Sequence, residues 1–311
     1  MAKNRMQKLR AIPVSAAVLS TLLILSGCNT TEEPTVEPTV GEQKSLTIGV
    51  SLSSPGLISG TDPESLSGAE ADLAVALGEQ LGEIVEPNDV AWVPTTPEQT
   101  TEHLENGELD LLIGQFPGPD LTEDIAWVAP YATVEPALLV RGESSDQEEA
   151  TNEAMTSESI TSFDDLEDAA VCVVARSASA GLDLPVGETQ TQQTVAECET
   201  GIRSGRYDAI AADDLQLVGV LADPSYSGSY ELLPWSQLAE DDDADVSEAL
   251  VEPTQYWIGT TPAQCEVVGE AFAELVADGV PEDIFGQWDE YTDYVPQLSA
   301  EDDLSTQYCP N

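Results

Sequence analysis

The sequence predicts an α/β protein of two lobes joined by two extended crossings. Short apolar runs alternate with segments of helical period, which favours mostly parallel sheets flanked by helices. Two acidic stretches, 143–158 and 240–252, interrupt the alternation and are too polar to bury themselves. An extended apolar run precedes the first stretch and another follows the second, so the chain leaves one lobe and later returns to it. Hydrophobic residues make up 41% of the 311, enough for packed cores.

Each element has its own signal. The body opens at Leu46, where 46–50 (LTIGV) reads as a short buried strand. A Ser/Pro/Gly loop leads into a helix over 68–81, on which Leu73, Leu77 and Leu81 recur at four-residue spacing. Residues 89–93 are the next strand, 97–106 a polar helix closed by Gly107, and 110–114 (DLLIG) a buried strand. Residues 131–140 are extended and apolar. Beyond the first acidic stretch come a strand at 170–174, a helix at 194–204, a strand at 208–212 and a helix at 215–221. Residues 256–260 form the returning strand. Val267, Val268, Ala271, Phe272, Leu275 and Val276 mark an amphipathic helix, and Phe285 and Trp288 lie on another over 283–291. The expected boundaries are 45–141 with 257–311 for the first lobe and 142–256 for the second. Trp92, Trp127, Trp257 and Trp288 fall in these elements as core residues; Trp235 lies beside a loop and is unassigned.

Residues 1–27 differ from the rest. Lys3, Arg5, Lys8 and Arg10 precede an apolar run over 11–25 that is too short and too interrupted by Ser and Thr to span a membrane comfortably, as in a secretory signal. The following Leu25-Ser26-Gly27-Cys28 resembles the lipobox of bacterial lipoproteins. That resemblance implies diacylglycerol on the Cys28 thiol, palmitate among its acyl chains, and anchoring outside the plasma membrane. Residues 29–44, rich in Thr, Pro and Glu, read as a solvated tether; extended at roughly 3 Å per residue it reaches on the order of 50 Å. Without Cys28, four cysteines remain in an oxidising compartment. Their spacing favours Cys172 with Cys198 and Cys265 with Cys309, among three possible connectivities. No CxxC or paired His is present, and no metal site or cofactor is expected.

The chain carries 59 acids and 9 basic residues, a net charge of −50, which becomes −54 when the four basic residues of 1–27 are removed. Such a surface repels phosphate polyanions and anionic lipid, excluding nucleic acid and polybasic membrane attachment. The acids run through both lobes and their loops, as in a surface adapted to high salt, where screening makes self-repulsion tolerable.

Read together, LTIGVSLSSPGL, GAEADLAVALGEQLG, LENGELDLLIGQ, IAWVAPYATVEPALLVR, VCVVARSASAGL, CETGIRSGRYDAIAADDLQL and YWIGTT resemble, in the same order, the landmarks of a known family. These are the type 2 periplasmic binding proteins of the polar amino-acid class, the extracellular solute-binding proteins of family 3 that feed ABC importers. The resemblance spans 46–291. It implies two Rossmann-like lobes joined by a two-segment hinge that close on a small polar solute. The Cys172 and Cys198 segments also resemble a disulfide-bonded pair of actinobacterial members.

A zwitterion taken into a closed cleft loses water around two charges, and each needs a partner. The resemblance puts Asp213 on the amine; a carboxylate at that strand end could equally cap the following helix, and Asp214 is the better candidate for a pure cap. The carboxylate side departs from the family. Thr122 stands where an arginine is usual, Pro117 where a hydroxyl residue is usual, and Thr100 or its neighbour where acidic amino-acid binders carry a second arginine. A threonine does not replace a bidentate guanidinium. Arg176 opens a turn that the resemblance places at a helix start, where Ser177, Ser179 and backbone N–H groups suit an anion; an ion pair with surface acids is the competing role. Gln115 and Ser51 complete the expected site. Arg141 is expected to pair at the hinge, Arg203 and Arg206 to be solvated, and His103 to be exposed.

Enzyme chemistry has little to stand on. His103 is alone on a polar helix, no HExxH, P-loop or GxGxxG occurs, and nothing singles out an acid/base pair for a dehydratase among 59 acids. The expected role is a monomeric, lipid-anchored solute-binding protein working with an ABC permease. A ligand-sensing or protein-interaction lipoprotein that kept the fold is the alternative, which the missing arginines favour.

Overall fold

A computed structural model describes residues 46–51, 54–60, 66–83, 89–120, 125–142, 160–223, 225, 228–241, 246–288, 292–300, 304 and 309. In chain order these form β1 (Leu46–Val50), α1 (Ala69–Gln80), β2 (Val90–Pro94), α2 (Pro97–Glu105), β3 (Leu111–Leu112), β4 (Ala126–Val134) and β5 (Pro136–Arg141). There follow α3 (Phe163–Leu166), β6 (Ala170–Val174), β7 (Glu188–Gln192), α4 (Val195–Arg203), β8 (Ala209–Asp213) and α5 (Asp214–Leu221). Next are β9 (Tyr230–Pro234), α6 (Trp235–Asp241), α7 (Glu248–Val251), β10 (Thr254–Thr260), α8 (Cys265–Ala277), α9 (Val280–Phe285) and β11 (Gln297–Leu298).

The strands form two sheets, ordered β11-β4-β10-β3-β1-β2 and β7-β6-β8-β5-β9. In the first, β1 runs parallel to β2 and β3, and β10 runs antiparallel to β3 and β4. In the second, β6 is parallel to β7 and β8, and β5 is antiparallel to β8 and β9. The central strands are buried on both faces, which is why 46–50, 170–174 and 208–212 read as near-continuous apolar runs.

Sheet membership moves the expected crossings. The single run at 131–140 is two strands: β4 belongs to the first sheet and β5 to the second, with Glu135 between them. The return falls between Val251 and Thr254, so 254–256 belong to the first sheet. The helix expected at 283–291 is α9 followed by a 3-10 turn at Gly286–Trp288. Arg141, expected at the hinge, lies beyond the crossing at the end of β5, where its guanidinium donates to the Ile202 carbonyl. His103 is half-buried rather than exposed, near Thr95 and Glu108. Trp235 starts α6 and is fully buried. Disulfides join Cys172 to Cys198, tying β6 to α4, and Cys265 to Cys309, tying α8 to the C-terminal segment.

The two sheets pack within one compact unit, Gln43–Asn311. The core of the first lobe is not closed by its own residues: Leu215 and Val218 of α5 in the second lobe, with Ala222 just after it, belong to the same cluster as Ile48, Leu57, Leu73 and Trp288. Gly219 permits this contact, because a Cβ there would stand 1.7 Å from the Pro55 carbonyl oxygen and 2.9 Å from the Gly56 nitrogen. Gly219→Ala is therefore expected to push α5 off the 54–57 loop, costing about 1–3 kcal/mol in stability and enlarging the radius of gyration in solution scattering. Unchanged scattering and stability would show that the two lobes do not meet at this glycine.

Candidate functional site

The site grows from the start of α1. Gly68 occupies the N-cap with φ 123°, and no side chain caps the helix. Instead the carbonyls of Gly56 and Leu57 accept the N–H groups of Ala69 and Glu70, at 2.8 and 2.9 Å. That folds the loop over the helix start and takes the Glu70 side chain fully inside. Glu70 accepts from the Tyr131 hydroxyl on Oε1 at 2.7 Å and from Gln115 Nε2 on Oε2 at 2.9 Å.

Gln115, just past β3, has φ 62°, a left-handed conformation uncommon for a residue with a Cβ. Its N–H donates to the Tyr131 hydroxyl oxygen at 3.1 Å, which holds that backbone in place. With N–H and Nε2 committed, its Oε1 is left to accept from Ser54 Oγ at 3.2 Å and from Gln216 Nε2 at 3.0 Å. Gln216 lies on α5, so this last hydrogen bond runs from lobe to lobe.

Asp213 ends β8 and stands at the N-cap of α5, its N–H donating to Gln216 Oε1 at 3.2 Å. Its carboxylate does more than close a helix. Oδ1 accepts from Ala178 N–H at 2.8 Å in the turn after β6, and Oδ2 accepts from the Tyr256 hydroxyl of β10 at 2.5 Å. Asp214, expected as the cap, is instead the first helical residue and fastens the crossing. Its carboxylate accepts from Leu215 N–H at 2.7 Å, Glu135 N–H at 3.1 Å and the Tyr294 hydroxyl at 2.9 Å, while its own N–H donates to the Glu135 carbonyl.

Ser51, Gln115, Ser177, Ser179 and Asp213 are all buried near strand ends. Ser177 Oγ donates to the Val174 carbonyl, and the Ser179 hydroxyl is buried with no partner among the described residues. Arg176 is exposed, with φ 67° and no hydrogen bond or ion pair among the described residues, so the surface ion pair weighed for it is not formed there. The segment after β6 is a run of turns and not a helix start, which removes the expected helix dipole from Ser177 and Ser179. Thr100 is buried on α2. Thr122 and Cys28 lie outside the described residues.

Glu70, Tyr131, Gln216 and Tyr256 were not singled out by sequence. Glu70 had a usable signal: it precedes Leu73 by three residues and Leu77 by seven, on the apolar stripe of α1. A carboxylate in that register is either buried or misplaced.

Burial sets the protonation of these acids. It pushes Glu70 up to about 7 against the lowering effect of its Tyr131 and Gln115 hydrogen bonds. It pushes Asp213 up to about 6, opposed by the Tyr256 hydroxyl and the Ala178 N–H. Asp214 rises to about 7, again through burial and against its three hydrogen bonds.

Comparison with known sequences now decides the family. The sequence model of the bacterial extracellular solute-binding proteins, family 3, matches residues 46–289. The chain belongs to this family. It is 26% identical over 292 residues, 90% of each chain, to the glutamate-binding protein GluB of Corynebacterium efficiens. A substrate-binding protein of an ABC uptake transporter from Streptococcus pneumoniae, solved with bound histidine, superposes with TM-score 0.58 at 19% identity, over 81% of this chain and 96% of that one. The ancestral amino-acid-binding protein AncCDT-1, described as a precursor of cyclohexadienyl dehydratase, gives TM-score 0.56 at 20% identity, over 80% and 96%. The fold is the type 2 periplasmic binding protein fold.

The raised acids give this family member a testable pH response. An acid whose folded pKa exceeds its unfolded one takes up a proton on folding, so its contribution is greatest below the unfolded value and is lost as pH rises through the folded value. For Glu70 the window runs from 4.5 to about 7. Glu70→Gln removes this titration and is expected to gain stability relative to wild type between pH 4.5 and 8, by on the order of 3 kcal/mol at most, in urea denaturation. A difference that does not change with pH would contradict the assignment.

Proposed function

We propose that this protein is the extracytoplasmic receptor of an ABC importer, held to the outer face of the plasma membrane by lipid on Cys28, and that it binds an amino acid or related amine between its lobes. The carrying observation is Asp213. It is a buried carboxylate at a strand end, with neutral donors as its partners, and it joins the turn after β6 to β10 of the opposite lobe. An ammonium arriving there gives a buried anion the cation it lacks, an interaction strengthened by low local polarity. The α-carboxylate meets the buried Ser179 hydroxyl and the exposed Arg176 at the same turn, with Ser177 shaping that turn and the buried Gln115 and Ser51 on the first lobe.

Family membership and the amino-acid-binding relatives support binding over catalysis. The acids of the site are tied to tyrosine hydroxyls, amides and backbone N–H groups, an arrangement suited to holding a solute. The lipobox-like segment ending at Cys28 supports the anchor, and delivery to a permease follows from the family's role.

Isothermal titration against a panel of amino acids and polyamines tests the reading. Asp213→Asn is expected to weaken binding of the recognised solute by on the order of 100-fold, as loss of a buried charged partner does. Equal affinity in the two proteins would remove Asp213 from the site.

A further inference from the structure

Charge inside the cleft narrows the class of solute. From residue 45 onward the cationic side chains are Arg141, Arg176, Arg203, Arg206 and, when protonated, His103. Most are engaged elsewhere. Arg141 is on the Ile202 carbonyl, Arg203 faces Glu199 at 3.5 Å, and Arg206 donates to Gln190 and lies over the Tyr207 ring. His103 stands between Thr95 and Glu108. Arg176 belongs to the turn whose Ala178 N–H binds Asp213. One guanidinium can answer one carboxylate.

Beside the site is an interlobe slot of about 280 Å³, walled by Pro55, Ile58 and Ser59 of the first lobe and by Thr194 and Ala196 at the start of α4. Ser54 lines it as well and donates to Gln115, so the slot adjoins the lobe-to-lobe hydrogen bond. Among the described residues its walls carry no charged side chain.

Resting on the reading above, in which Asp213 holds the amine, we infer that the solute is a zwitterion with an uncharged, largely apolar side chain seated in this slot. A second carboxylate, as in L-glutamate, would enter without a cation and carry its full desolvation penalty into a site that already holds Glu70 and Asp213. A cationic side chain would likewise lose its water among Ile58, Pro55 and Ala196, with no carboxylate on the walls among the described residues. An aliphatic side chain loses nothing there and removes apolar surface from water.

The test is isothermal titration of the full chain, stripped of bound solute, with L-leucine, L-glutamate and L-lysine. L-Leucine is expected to bind on the order of 100-fold more tightly than either charged amino acid. Ala196→Arg, at an exposed helix position, adds a cation to the slot wall; it is expected to weaken L-leucine and strengthen L-glutamate by about tenfold each, with an unchanged melting temperature reporting the fold. If L-glutamate or L-lysine binds as tightly as L-leucine while Asp213→Asn still abolishes binding, the side-chain inference falls and the amine site stands. Affinities unmoved by Ala196→Arg overturn the slot assignment. Failure of folded protein to bind any of the three, with binding of a non-amino-acid amine, overturns the zwitterion and side-chain inference and leaves the amine site standing.

Discussion

A carboxylate buried by folding needs a cation, a proton or a set of neutral donors, and this chain has almost no cations to offer. Beyond Lys44 its cationic side chains are four arginines and one histidine, set against 55 acids. Glu70, Asp213 and Asp214 are consequently satisfied by tyrosine hydroxyls, glutamine amides and backbone N–H groups. Neutral donors do not fully offset lost hydration, so all three acids are pushed toward the protonated form. The same scarcity limits the anionic groups a solute can bring into the cleft.

These neutral hydrogen bonds also join the lobes. Gln216 to Gln115, Tyr256 to Asp213 and Tyr294 to Asp214 each connect one lobe to the other. They act beside the apolar contact that Gly219 allows between α5 and the 54–57 loop. The apolar surface supplies contact area without direction; the amide and hydroxyl pairs fix which residues face one another when the lobes meet.

Much of the fold was legible because the buried strands 46–50, 170–174 and 208–212 are apolar on both faces and the leucines of α1 hold helical spacing. The elements that sequence missed lack those signals. β7 (ETQTQ) is a polar edge strand, and α3, α6 and α7 are short helices of four to seven residues fixed by tertiary packing. The crossing was placed late because β4 and β5 are equally apolar, and only their pairing reveals that the sheet changes at Glu135. In the site, Asp213 is implied by the resemblance to the family, which places it at the end of a recognisable strand. Tyr131, Tyr256 and Gln216 were hidden because each sits in an otherwise apolar segment and matters through a partner remote in sequence.

The central claim is that a cleft poor in cations holds an amine-bearing solute on Asp213 through otherwise neutral groups. A crystal structure of protein purified without refolding, retaining whatever solute accompanies it, tests this most directly. The account predicts density between the lobes with a nitrogen against the Asp213 carboxylate and an uncharged group toward Ile58 and Ala196. A solute whose anionic group lies against Asp213, or one held entirely away from it, would contradict the account.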